Sequence, residues 1–60
     1  MEKLLTPEDI AEILGIHIET VRRFAREGRL VGVKIGLDWR FKREDVEEFI
    51  EERRMVKGRK

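Results

Sequence analysis

The connection between two helical patterns constrains this chain most. Ile10, Ile13 and Leu14 repeat at helical spacing up to Gly15, and a second stripe of Val21, Phe24 and Ala25 begins just beyond. Only Gly15-Ile16-His17 lies between them. Three residues allow two helices nothing but a tight corner, with the glycine left-handed where the first helix ends.

Local signals agree with that corner. Thr6 is a good N-cap, Pro7 suits the first helical position, and Asp9 stands where a capping box needs its acid. Leu5 and Ile10 occupy the staple positions. For the second helix His17 is the candidate cap, Ile16 and Val21 the candidate staple, and Gly28 the stop. Val21, Phe24 and Ala25 are expected to face inward. Arg22, Arg23 and Arg26 then face outward with Glu19.

After Gly28 the apolar period changes from 3.6 to 2. Gly36-Leu37-Asp38 reads as a turn between two short strands. Val33, Ile35, Trp39 and Phe41 are expected on one apolar face, with Lys34 and Arg40 on the polar one. A hairpin alone does not persist in water, so Trp39 and Phe41 are expected to pack on the helices. A third helix is expected from about Arg43, with Glu44 and Asp45 in its first turn and Val46, Phe49 and Ile50 as its inner stripe. Arg53 and Arg54 close it. The reading is one mainly α domain with a small β-hairpin (α+β), in the order α-α-β-hairpin-α, over residues 1–54. Residues 55–60 form a basic tail expected to be flexible.

Size and composition exclude several functions. Sixty residues leave no room for a deep catalytic cleft. Cysteine is absent and histidine occurs once, so disulfides, thiolate metal sites and paired histidine ligands are unavailable. No enzymatic activity, cofactor, metal or small-molecule ligand is expected. No apolar run approaches a membrane span and no secretory signal is present, so the expected compartment is the cytoplasm. The chain also lacks Asn, Gln and Ser, and this composition predicts a melting temperature above the mesophilic range.

The net charge of +1 hides strong segregation. Residues 1–21 carry one base and five acids, and residues 22–43 carry eight bases and two acids. Residues 44–52 carry six acids and no base, and residues 53–60 carry five bases and no acid. If the fold gathers the basic segments on one side, they form a footprint for a polyanion.

The second helix focuses that charge. A guanidinium can grip guanine O6 and N7 with two hydrogen bonds. Arg22, Arg23 and Arg26 are close enough for at least two to share one groove. Glu19 could accept from a cytosine amino group, and Thr20 could contact a phosphate or a base. The competing reading is a solvated face held by pairs such as Glu19–Arg23 or Arg22–Glu27. Arg29, Lys34 and Arg40 are candidates for phosphates. Leu37 and Asp38 at the hairpin tip carry no positive charge, so the hairpin could equally serve only to cover the core. His17 reads as a cap, the carboxylates of the third helix as its wet face, and Trp39 as core.

The chain resembles the excisionase family of MerR-like winged helix-turn-helix domains from Leu4 to about Ile50. The resemblance is carried by Leu5-Thr6-Pro7-Glu8-Asp9-Ile10-Ala11-Glu12-Ile13-Leu14-Gly15, by Glu19-Thr20-Val21-Arg22-Arg23 and by Arg26-Glu27-Gly28-Arg29-Leu30. It continues in Val33-Lys34-Ile35-Gly36 and Trp39-Arg40-Phe41. It implies two helices, a hairpin wing and a third helix. It implies that Glu19, Arg22, Arg23 and Arg26 occupy recognition-helix positions, with the wing along the adjacent minor groove. Family members often carry Ser or Thr where His17 stands, and basic residues where Leu37 and Asp38 stand.

Together these readings predict a sequence-specific binder of double-stranded DNA without enzymatic activity. It would be excisionase-like, setting the direction of recombination, or a small transcriptional regulator. One module this size buries only ~600–1,000 Å² on DNA, so further copies of itself or a recombinase are expected to assist. The alternative is a protein–protein module that docks a partner chain without nucleic acid.

Overall fold

A computed structural model describes residues 3–54. The basic tail expected at 55–60 lies outside the described residues. The elements are α1 (Pro7–Leu14), α2 (Ile18–Arg26), β1 (Val33–Ile35), β2 (Asp38–Arg40) and α3 (Arg43–Glu52), in the expected order.

The start of α1 follows from its sequence. The Asp9 N–H donates to the Thr6 hydroxyl at 3.1 Å, and the Thr6 N–H donates to the Asp9 carboxylate at 3.0 Å. This reciprocal capping box satisfies two donors that the helix leaves unpaired. Its hydrogen bonds, the one from the Thr6 N–H foremost, hold the Asp9 carboxyl below its usual pKa. At the other end Gly15 takes φ 69°, and the Gly15 and Ile16 N–H groups both donate to the Ala11 carbonyl. The chain thereby turns into α2 within three residues.

His17 occupies the N-cap of α2 but makes no side-chain capping bond. The end of α2 is better secured. Gly28 is left-handed at φ 78°. The Arg29 N–H donates to the Phe24 carbonyl at 2.9 Å, and the Gly28 N–H donates to the Ala25 carbonyl at 3.1 Å. This double closure reverses the chain and drops Leu30 into the core.

That core consists of Ile10, Val21, Ala25, Leu30, Phe41, Val46 and Phe49. Every element except the short strands contributes to it, and Phe41 follows β2 directly. The Leu5 N–H donates to the Phe41 carbonyl at 2.8 Å, and the Phe41 N–H donates to the Leu5 carbonyl at 2.9 Å. The segment ahead of α1 is thus tied to the base of the hairpin.

Two expected inward positions, Ile13 and Ile50, are corrected, and a third, Phe24, faces inward only in part. Ile13 is half exposed, because the buried face of α1 is centred on Pro7, Ile10 and Leu14. At 100° per residue Ile13 falls off that arc. Phe24 is only partly buried; its ring leans on Phe49 with centroids 5.7 Å apart. Ile50 is 40% exposed beyond the Val46 and Phe49 stripe.

The hairpin is corrected in register. Its loop is Gly36-Leu37, two residues rather than three, and Asp38 belongs to β2. Gly36 takes φ 65°, which a two-residue hairpin loop requires at its first position. The pairs are Val33 with Arg40, Lys34 with Trp39 and Ile35 with Asp38. Directly opposed residues share a face, so shortening the loop by one residue exchanges the faces of one strand relative to the other. Lys34 therefore lies with Trp39, its Nζ 5.4 Å from the ring centroid. Val33 and Ile35 lie with Arg40 and Asp38, and both are about half exposed. Lys34 and Arg40 do not share a polar face. Trp39 is half-buried over Gly32, where a Cβ would stand 3.2 Å from its ring and 2.7 Å from Phe41.

Candidate nucleic-acid interface

The corner holds α2 against α1 through Val21 and Ala25, so the opposite side of α2 is free to face outward. Helical spacing puts Glu19, Arg23 and Arg26 on that side. All three are exposed. Arg26 has no hydrogen-bond or ion-pair partner among the described residues, and Arg23 has only the Phe24 ring, 5.7 Å from its guanidinium carbon. Thr20 is half-buried at one margin.

Arg22 stands at the other margin, nearest the hairpin, and its situation differs. Its Nη1 lies 3.1 Å from Glu19 Oε2 and its Nη2 lies 3.5 Å from Asp38 Oδ2. The Arg22 side chain is 28% exposed and that of Asp38 37%, against 79% for Glu19. Asp38 Oδ1 also accepts from the Trp39 N–H at 2.8 Å. That backbone bond, and then Arg22, hold the Asp38 carboxyl below its usual range. Asp38 in turn raises the Arg22 pKa. No pattern along the chain signals this contact. A three-residue turn would have left Asp38 at the tip, where it has nothing to meet.

The candidate phosphate contacts also differ from one another. Arg29 is exposed, with Nε 3.2 Å from Glu27 Oε1. Lys34 is exposed on the Trp39 face. Arg40 is half-buried and folds back on its own backbone, its Nη1 donating to the Trp39 carbonyl at 2.7 Å. The pairs that the competing solvated-face reading named, Glu19–Arg23 and Arg22–Glu27, are not formed among the described residues; Glu19 takes Arg22 and Glu27 takes Arg29.

The remaining surface offers little chemistry. Among the described residues no group of three or more His, Asp or Glu side chains is placed to hold a metal ion. A shallow apolar groove of about 370 Å³ runs between Leu14, Ile16, Phe24, Phe49 and Ile50, edged by Arg53 and Arg54. Arg53 stacks on Phe49 at 3.8 Å and donates to its carbonyl at 3.3 Å. No helix among the described residues is long and apolar enough to cross a membrane.

A corner of two helices, an outward arginine-bearing second helix, a hairpin and a third helix together make a winged helix-turn-helix. The family model for the helix-turn-helix domain matches residues 4–54. The chain belongs to this family. The family includes excisionase-like and MerR-like domains, in keeping with the resemblance carried by the corner and the hairpin. Searches among curated proteins and among solved structures found no match. The family supports a DNA-binding protein of the helix-turn-helix type, and its members are typically not enzymes.

Proposed function

We propose that this helix-turn-helix domain binds duplex DNA sequence-specifically, either as an excisionase-like factor setting the direction of recombination or as a small transcriptional regulator. In this reading α2 enters the major groove and the hairpin lies along the neighbouring minor groove. The observation that carries it is the pair Arg23 and Arg26. Both are exposed on the side of α2 away from the core, and neither forms an ion pair within the described residues. Two unspent guanidiniums on a braced helix are suited to guanine edges.

Glu19 and Thr20 stand beside them for a cytosine amino group or a phosphate. Arg29 and Lys34 are exposed for phosphates, and Lys57, Arg59 and Lys60 add further positive charge. Arg40 is the weaker phosphate candidate because it is bonded to its own backbone. A single module buries ~600–1,000 Å² on DNA, so tight binding calls for several copies on one site or for a partner such as a recombinase.

Arg23→Ala tests the reading. Folding should remain nearly intact, while affinity for a selected site falls by about 1–3 kcal/mol. If about five phosphates are engaged, log affinity falls against log salt with a slope of ~−4.5. Unchanged affinity for Arg23→Ala, or a flat salt response, would refute it.

A further inference from the structure

Among the three arginines of α2, Arg22 alone is held by carboxylates from two elements. Nη1 meets Glu19 within the helix and Nη2 meets Asp38 on β2. Both terminal nitrogens of its fork are occupied, and two negative charges oppose its one. Asp38 is anchored in turn by the Trp39 N–H, so the carboxylate is not free to swing away. Among the described residues Arg23 and Arg26 have no carboxylate partner.

Resting on the DNA-binding reading above, we propose that Asp38 is a specificity-determining residue that acts through Arg22. By holding Arg22 against the hairpin, Asp38 withdraws one guanidinium from the groove and leaves base reading to Arg23 and Arg26. The same bond links β2 to α2, beside the Leu5–Phe41 bonds that tie the base of the hairpin. Asp38 is therefore a positioning residue, and the loop length of two is what brings it to Arg22. An acidic residue next to a DNA-facing helix is costly for affinity in general. Here its charge is directed at one arginine and narrows what the helix can read.

The test compares the whole chain with Asp38→Asn, Arg22→Ala, the double variant and Asp38→Glu. Asp38→Asn keeps an oxygen for the Trp39 N–H while removing the charge. Each protein selects sites from a random duplex pool at 50 and 200 mM salt, with thermal melts confirming that it is folded at the assay temperature. Asp38→Asn is expected to alter or broaden the selected bases. Its salt slope should steepen by ~0.9, giving ~3.5-fold more loss of affinity between the two salt conditions than the parent shows. Arg22→Ala should bind more weakly yet select the same bases as the parent. The double variant should also select the parental bases, since Asp38 has nothing left to act through. Asp38→Glu should retain the parental selection.

Two results overturn the inference while leaving the DNA reading intact. One is loss of preference at a base pair in Arg22→Ala, which would make Arg22 a reader. The other is an equal effect of Asp38→Asn with and without Arg22, which would make Asp38 mere background charge. If the parent binds no duplex in a salt-dependent way, the DNA reading itself falls and the inference falls with it.

Discussion

Gly32→Ala should destabilise this domain although it adds one methyl group in a connecting segment. An ideal Cβ at Gly32 stands 2.7 Å from Phe41 Cε1, 3.0 Å from Phe41 Cδ1 and 3.2 Å from Trp39 Cε3. The first distance is shorter than carbon atoms tolerate. Phe41 is fully buried and cannot move aside without disturbing the core cluster it belongs to. Forcing an extra carbon into a packed core costs typically about 1–3 kcal/mol. Alanine also restricts the unfolded chain, which offsets about 0.4–1 kcal/mol. The net loss is about 1–2 kcal/mol. For a domain of this size each kcal/mol lowers Tm by about 4–8 °C, so the expected drop is about 4–16 °C. Thermal unfolding followed by circular dichroism measures it, with urea unfolding as a second route. In a Phe41→Leu background the same substitution should cost less, because the ring edge is gone. A Gly32→Ala protein that melts at or above the parental temperature would mean that the aromatic rings do not rest on this backbone, and the docking of the hairpin would be wrong.

Phe24→Ala should cost about 1.5–2.5 kcal/mol, below the range for a fully buried phenylalanine, because this ring is covered only in part; chemical denaturation reads it, and a loss above 4 kcal/mol would place the ring in the core. Thr6→Ala removes the capping box and should cost about 1 kcal/mol, seen as a lower urea midpoint with an unchanged slope. Acid should weaken the fold through Asp9 and Asp38. Both carboxyls are held below the ordinary value of 3.8, so their contribution is present above that pH and is lost as the pH falls through their lower folded values. Asp9→Asn and Asp38→Asn should each flatten the fall in urea midpoint below about pH 4, and an unaltered acid limb in both would refute the assignment.

The helical part of this fold was open to reading because its signals are local. Thr6, Pro7 and Asp9 specify a helix start within four positions, and Gly15 and Gly28 specify two ends. The arc of α1 is not legible because Ile13 is apolar, and hydrophobicity alone does not say which of two adjacent arcs meets the core. Pro7 and Ala11, less conspicuous, lie on the arc that does. The hairpin was legible as a hairpin, but its register was not. Gly36 fits a loop of two or three residues, and one residue exchanges every face. That slip hid the Lys34–Trp39 stacking and the Arg22–Asp38 ion pair together. The outward positions of Glu19, Arg23 and Arg26 followed from periodicity alone. The restraint on Arg22 depends on a contact across elements, and no pattern within α2 encodes it. Gly32 was invisible for a similar reason, since its small size matters only once Phe41 and Trp39 are laid against it.

The two hydrogen bonds between Leu5 and Phe41 join segments far apart in the chain, and loop-closure entropy makes such a contact later than local ones. The α1–α2 corner needs only neighbours in the chain and can form early during synthesis or refolding. The seam at Leu5 must wait for Phe41 to arrive and closes a long loop when it does. Until that clasp shuts, the cluster of Ile10, Val21, Ala25, Leu30, Val46 and Phe49 lacks its Phe41 ring, and limited proteolysis during refolding should cut the corner more readily than it cuts the closed domain.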